Sequence, residues 1–213
     1  MFISKKNLIA FGALSLVALV IVAFIATNLI LSHRKKVEDN RVALLVADAT
    51  AELRKALRAG PSTASVAKLD QFVQAAKSSS NPAAGSAAEA YLLGAREIAR
   101  RRAESERLAG EAAAARNALA GHMNRSANRN TAWIRDAAEL KRRVEATHAE
   151  LARSLKTLDD LLYGLSDAEK RLAPHVVGSA LVEASEIDAA RARAQDESKR
   201  AASELEKVRR LTP

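Results

Sequence analysis

From Leu8 to Leu31 the chain reads LIAFGALSLVALVIVAFIATNLIL, about 24 residues without one charged side chain. As a helix rising 1.5 Å per residue it reaches roughly 36 Å, enough to cross a hydrocarbon core of ~30 Å with some tilt. In lipid a single segment satisfies its own backbone N–H and C=O groups only as a helix. Lys5 and Lys6 flank one end, and Arg34, Lys35 and Lys36 flank the other, where long cationic side chains reach headgroups. A cleaved signal peptide would carry a shorter apolar region and a small-residue cleavage signature. The chain instead reads Ala26-Thr27-Asn28-Leu29. We therefore expect an uncleaved, single-pass anchor, with a tail, anchor and basic flank over 1–36 and a helical body over 37–213. The run contains no G-x-x-x-G spacing that would mark close helix pairing in a membrane.

The body is rich in Ala, Leu, Glu, Arg and Lys and poor in Gly, Pro and aromatics, a composition that belongs to long helices and coiled coils. The fold class we expect is all-α. The anchor helix continues into an elongated antiparallel helical bundle or coiled coil. With no Cys, disulfides and thiolate metal sites are excluded. The net charge is +9, and Lys5 and Lys6 account for two of those charges, which leaves +7 on the body. Much of that charge falls into i,i+4 pairs such as Glu97/Arg101, Arg102/Glu106, Arg107/Glu111, Glu139/Arg143, Asp167/Arg171, Asp196/Arg200, Arg200/Glu204 and Glu206/Arg210. That is the pattern of solvated helix faces.

Punctuation divides the body into helices at about 37–59, 63–77, 83–120, 131–165 and 175–211. Val42, Leu45, Ala49, Leu53 and Leu57 carry the anchor helix on to Ala59, where Gly60-Pro61 stops it. Val66, Leu69, Phe72, Val73 and Ala76 stripe a short second helix. Asn81 is expected to cap the third helix, with Pro82 at its first position. Its seam is expected to run Tyr91, Ala95, Ile98, Arg102, Ser105, Ala109, Ala112, Arg116, Leu119, up to Gly121 and the polar turn NRSANRN. The fourth segment has the most apolar seam: Ala137, Leu140, Val144, Thr147, Leu151, Ser154, Leu158, Leu161 and Leu165, widened by Leu155 and Leu162. Ser166-Asp167-Ala168-Glu169 has the form of a capping box opening a further short helix before Pro174. Ala180, Ala184, Ile187, Arg191, Ala194, Ser198, Ala201, Leu205 and Val208 form the last seam. Small residues on two of the three long seams bury little area each, so modest stability, or stability borrowed from a partner, follows.

Motifs for chemistry are sparse. Glu145-x-x-His148 has the spacing used by carboxylate-bridged metal bundles, but no other His has a Glu three residues before it. We expect no metal site and read His148 as a surface residue. Arg100-Arg101-Arg102 fans over about 200° of a helix and cannot close on one ligand. Trp133, the only Trp, is expected to pack at the entry of the fourth helix. No phosphate-binding glycine loop, catalytic constellation or nucleic-acid module occurs. The expected function is therefore that of a non-enzymatic, single-pass, membrane-anchored interaction or assembly scaffold without catalytic residues, cofactor or metal. Its partners are membrane lipid and a second copy or a helical protein, with no specific nucleic acid, and any small-molecule ligand is left open. An anchor entering a bundle also resembles the general plan of the sensory input domain of a membrane receptor. Such receptors return through the membrane, and no second apolar span follows here. A helical envelope spacer is the third alternative. A short basic tail places the body outside the cytoplasm, although Arg34, Lys35, Lys36 and Arg41 pull the other way.

Overall fold

A computed structural model describes the backbone over 5–59, 63–124, 130–176 and 181–210, with side chains from Ile21 onward apart from Ala59 and Thr63. Five α-helices and one 3₁₀ turn make up the described fold: α1 (Lys5–Ala59), α2 (Thr63–Lys77), α3 (Pro82–Asn124), α4 (Thr131–Leu172), a 3₁₀ turn (Ala173–His175) and α5 (Ala184–Arg210). Residue pairing fixes their directions. Thr50 meets Tyr91, and Asp39 meets Asn81, so α1 and α3 run in parallel. Lys68 meets Glu52, and Asp70 meets Arg96, so α2 runs against both. Ser105 faces Ser154, while Asp159 faces Arg191 and Lys141 reaches Arg209, so α4 runs against α3 and α5. The bundle is thus up-down-up-down-up, as short connections between antiparallel neighbours require.

The bundle has two tiers. Near the entry of α1, all five helices bury one large cluster that includes Val46, Leu53, Leu69, Tyr91, Leu92, Ile98, Leu162 and Leu172. Beyond the end of α1 only α3, α4 and α5 continue. They close over two smaller clusters, one around Leu108, Leu151 and Leu155, the other around Leu119, Val144 and Val208. The 43 residues of α3 make a rod of roughly 65 Å.

Several elements depart from what the spacing implies. The α3 seam runs Ser105, Leu108, Ala112, Ala115, Leu119 rather than through Ala109 and Arg116. That one-residue rotation buries the Leu and carries Arg116 out to Glu204, at 3.7 Å. Gly121 lies inside α3, which continues to Asn124. Asn81 does not cap α3 with its side chain. Its amide donates to Asp39 at 2.7 Å, and its backbone carbonyl accepts the Gly85 N–H. The capping box at Ser166 opens no new helix. Leu158, Leu162, Leu165 and Leu172 keep one apolar stripe buried, so α4 runs through. The last helix begins at Ala184, not His175. Val176 and Val182 instead lie buried in the connection against the main cluster. The Gly60-Pro61 stop, most of the NRSANRN turn and Ala180 lie outside the described residues.

Among the described residues no helix is long and apolar enough to cross a membrane. Side chains 8–20 of the uncharged run lie outside them.

Gly85 sits where α2 turns back into α3. A Cβ there would lie 2.8 Å from Ser79 Cβ and 3.1 Å from the Ala76 carbonyl oxygen. Gly85→Ala must push the turn apart, at an expected cost of about 1–3 kcal/mol. Chemical denaturation should show this loss, whereas Gly110→Ala, with open space around its Cβ position, should be neutral or stabilising.

Candidate functional site

The polar groups of the main cluster converge where α1, α3, the end of α4 and the start of α5 meet. Tyr91, buried on α3, shares a 2.8 Å hydrogen bond with Thr50 on α1. Burial pushes the Tyr91 phenol up to about 12, which keeps it neutral. One turn along α1, Arg54 donates from Nε to Glu186 Oε2 at 2.8 Å and from Nη2 to the Leu181 carbonyl at 2.8 Å. Arg58 donates to the other Glu186 oxygen at 2.7 Å. The Arg54 and Arg58 hydrogen bonds, against the penalty of burial, hold the Glu186 carboxyl below its ordinary value. Glu186 therefore ties the last turns of α1 to the first turn of α5.

Glu169 faces the same junction from α4. Desolvation raises its carboxyl to about 7, against the Val182 backbone N–H and the charge of Arg54. Its Oε1 is sealed from solvent without a hydrogen-bond partner. A half-buried acid that holds its proton near neutrality marks this junction as the most electrostatically perturbed part of the body.

Beside it, a cavity of about 230 Å³ opens between α1 and α5, lined by Arg54, Leu57, Arg58, Ser185, Glu186, Ala189 and Arg193. Arg193 donates from Nε to the Ala189 carbonyl at 3.2 Å and from Nη1 to the Leu57 carbonyl at 3.5 Å. That puts a cation at the negative end of the α1 dipole. A carboxylate is engaged, two guanidinium groups have donors to spare, and no nucleophile–base pair stands in line. The arrangement binds and positions charge.

The residues singled out from sequence fall elsewhere. Arg101 pairs with Glu97 and Glu104, Arg102 with Glu106 and Glu197, and Arg100 is exposed, so the triplet fans out and meets no common ligand. Of the eight i,i+4 pairs, Glu97/Arg101, Arg102/Glu106, Arg107/Glu111 and Glu206/Arg210 close as ion pairs. Trp133 is buried at the α4 entry, stacked on His122 with ring centroids 5.0 Å apart. Asn130 accepts its backbone N–H at 2.9 Å. His148 is not at the surface. Val144, His148, Leu151 and Leu155 step by four and three along the buried stripe, and neither ring nitrogen has a hydrogen-bond partner. Burial lowers its pKa, with Glu204 and Arg116 acting in opposite directions. Among the described residues no three His, Asp or Glu side chains gather as a metal site.

The seam arginines resolve within the chain. Arg102 reaches Glu197 at 3.0 Å, Arg116 reaches Glu204, and Arg191 reaches Asp159 at 2.8 Å. A charge on a seam has to be paired or solvated, and here a partner helix is not needed for that purpose. Sequence reasoning missed Arg54, Arg58, Glu186 and Arg193. One signal was present: Arg54 and Arg58 are like charges at i,i+4, which repel unless an acid comes from elsewhere.

No family model, curated protein or solved structure matches this chain.

Proposed function

We propose that the chain is a single-pass membrane protein whose helical body is a non-enzymatic interaction or assembly module held off the membrane surface. One observation carries the anchor. The described end of the uncharged run, Ile21 to Leu31, projects beyond the bundle and is exposed on every face, with Ile21 at 52%, Phe24 at 68% and Leu29 at 64%. The bundle first meets α1 at Glu38 and Asp39 and buries its apolar side chains from Val42 onward. A helix apolar all round needs an apolar surround, and a bilayer supplies it. Sequence extends the same uncharged character back to Leu8. Insertion behind a short basic tail would set the body outside the cytoplasm.

An open groove between α4 and α5 supports the interaction reading. Its floor is Ala152, Leu155 and Ala194, and its rim carries Arg153, Lys156, Asp159 and Lys199. That shape and charge suit an amphipathic helix with mainly acidic flanks, from a second copy or another protein.

The full chain should fractionate with membranes and resist carbonate extraction, while a form beginning at Val37 should be soluble and fully helical by circular dichroism. Extraction of the full chain with carbonate would refute the anchor. Sedimentation of the soluble form over a wide concentration range then tests self-association, and a strict monomer would confine the partner to a different protein.

A further inference from the structure

The cavity between α1 and α5 has an unbalanced lining. Arg54, Arg58 and Arg193 face a single carboxylate, Glu186. Arg54 is committed to Glu186 and the Leu181 carbonyl. Arg58 gives one Nη2 donor to Glu186 and is otherwise 72% exposed at its side chain. Arg193 donates to two backbone carbonyls, and its guanidinium forms no salt bridge with a carboxylate among the described residues. A guanidinium carries five N–H donors in a planar fork, so Arg58 and Arg193 both retain donors. That fork matches the two oxygens of a carboxylate or phosphate edge.

We infer that this cavity binds a small soluble oxyanion, a carboxylate or a phosphate, gripped between Arg58 and Arg193. A cavity of about 230 Å³ is small beside the ~300–1,000 Å³ of sites for drug-sized ligands, and a phosphate ion or a short-chain organic acid fits within it. The geometry also separates this ligand from lipid. From Leu31 to Arg58, α1 rises roughly 40 Å, well beyond the headgroups of any bilayer the uncharged run enters. The bound anion would share the task of Glu186, clamping the end of α1 to the start of α5. The oxyanion site itself stands apart from the anchor reading, while the exclusion of a lipid headgroup rests on it.

The full chain in a non-ionic detergent should be titrated with inorganic phosphate, succinate and citrate at constant ionic strength, with chloride as the control. Thermal unfolding and calorimetry are the readouts. At a hundredfold excess over Kd, the bound anion should raise Tm by about 5–10 °C. Arg58→Gln should weaken binding at least tenfold, with little change in the unliganded Tm because its side chain is largely solvated. Glu186→Gln removes the competing carboxylate and should leave binding intact or tighten it. Arg193→Gln also frees the Leu57 carbonyl, so its effect is read from the anion-induced shift, not from the basal Tm. A response to phosphate alone or to the organic acids alone assigns the class within the proposal. If no anion shifts Tm beyond the chloride control, there is no site. If Arg135→Gln, an exposed arginine in the second turn of α4, weakens binding as much as Arg58→Gln, the anion follows general positive charge and the site is overturned.

Discussion

Leu162→Ala should destabilise the full chain by about 2–5 kcal/mol, the range for emptying a buried leucine site. Leu162 is fully buried, in the main cluster that all five helices share. It faces Leu57 of α1, Leu158 of α4 and Ala190 of α5 across a narrow gap beside Arg102 and Arg193. Four rigid helices border the site, so collapse around the missing isopropyl group is restricted and the cost belongs in the upper part of that range. Leu151→Ala should cost less, because the distal cluster is small and Leu151 keeps some exposure at 8%. Arg107→Ala breaks an ion pair with Glu111 whose side chains are largely solvated and should stay within about 0.5 kcal/mol. Thermal melts followed at 222 nm would rank the three. At 2–4 °C per kcal/mol for a body of this size, the Leu162 loss is roughly 4–20 °C. If Leu162→Ala melts with Arg107→Ala, the junction is not the stabilising centre.

What could be read in advance depended on contrast between apolar and polar positions. Along α4, large leucines alternate with charged residues, and the expected seam matches the buried stripe at Ala137, Val144, Leu151, Ser154, Leu158 and Leu165. Along α3 beyond Ile98 the candidates were Arg102, Ser105, Ala109, Ala112, Arg116 and Leu119, mostly small or charged residues that barely distinguish one face from the next. The register there follows the burial of Leu108, Ala115 and Leu119 against α4 and α5, which turns Arg102 and Arg116 toward Glu197 and Glu204, partners far apart in sequence. Capping rules misled at Ser166 and Asn81 because tertiary partners outbid local ones: Leu172 packs inward and Asp39 takes the Asn81 amide. The candidate site was the least legible part. Arg54 and Glu186 are separated by most of the body, and periodicity says nothing about which helices end side by side.

Scaffold and sensor now differ in a physical respect. With Arg102, Arg116 and Arg191 paired inside the chain, seam charge gives no reason for self-association, and the proposed partner is matched to the α4–α5 groove instead. A sensor requires something at the end of α1 that changes with conditions. Two features of the junction answer to that description: the guanidinium-lined cavity and the acid beside it.

Glu169→Gln should flatten part of the dependence of stability on pH. The folded-state carboxyl titrates at about 7 against an ordinary value of 4.5, because its surroundings are desolvated. With the folded value above the unfolded one, the contribution of Glu169 to stability is fully present below pH 4.5 and is lost as pH rises to about 7. Above that, the folded body holds a carboxylate whose Oε1 has no partner, helped only by Arg54, itself committed to Glu186, and by the Val182 N–H. Tyr91 stays neutral throughout and adds no charge. Linkage for the whole shift is an upper bound, since the side chain is half in water and screened, so about 1 kcal/mol is the expected size. Glu169→Gln should therefore match the unmodified chain at pH 4.5 and exceed it by that amount at pH 8. His148 acts in the opposite sense: its lowered pKa contributes stability above pH 6.5 that is lost as pH falls. Glu52, Glu186 and Glu204, with lowered pKa values, likewise lose their contributions as pH falls below 4.5. These cancel in the difference between the two proteins, so the measurement is that difference, by urea unfolding at several pH values. A difference that is constant from pH 4.5 to 8 would show that Glu169 is charged in both states. A difference that grows from about pH 4.5 to about 7 and levels off above it locates its titration at the junction of α1, α4 and α5.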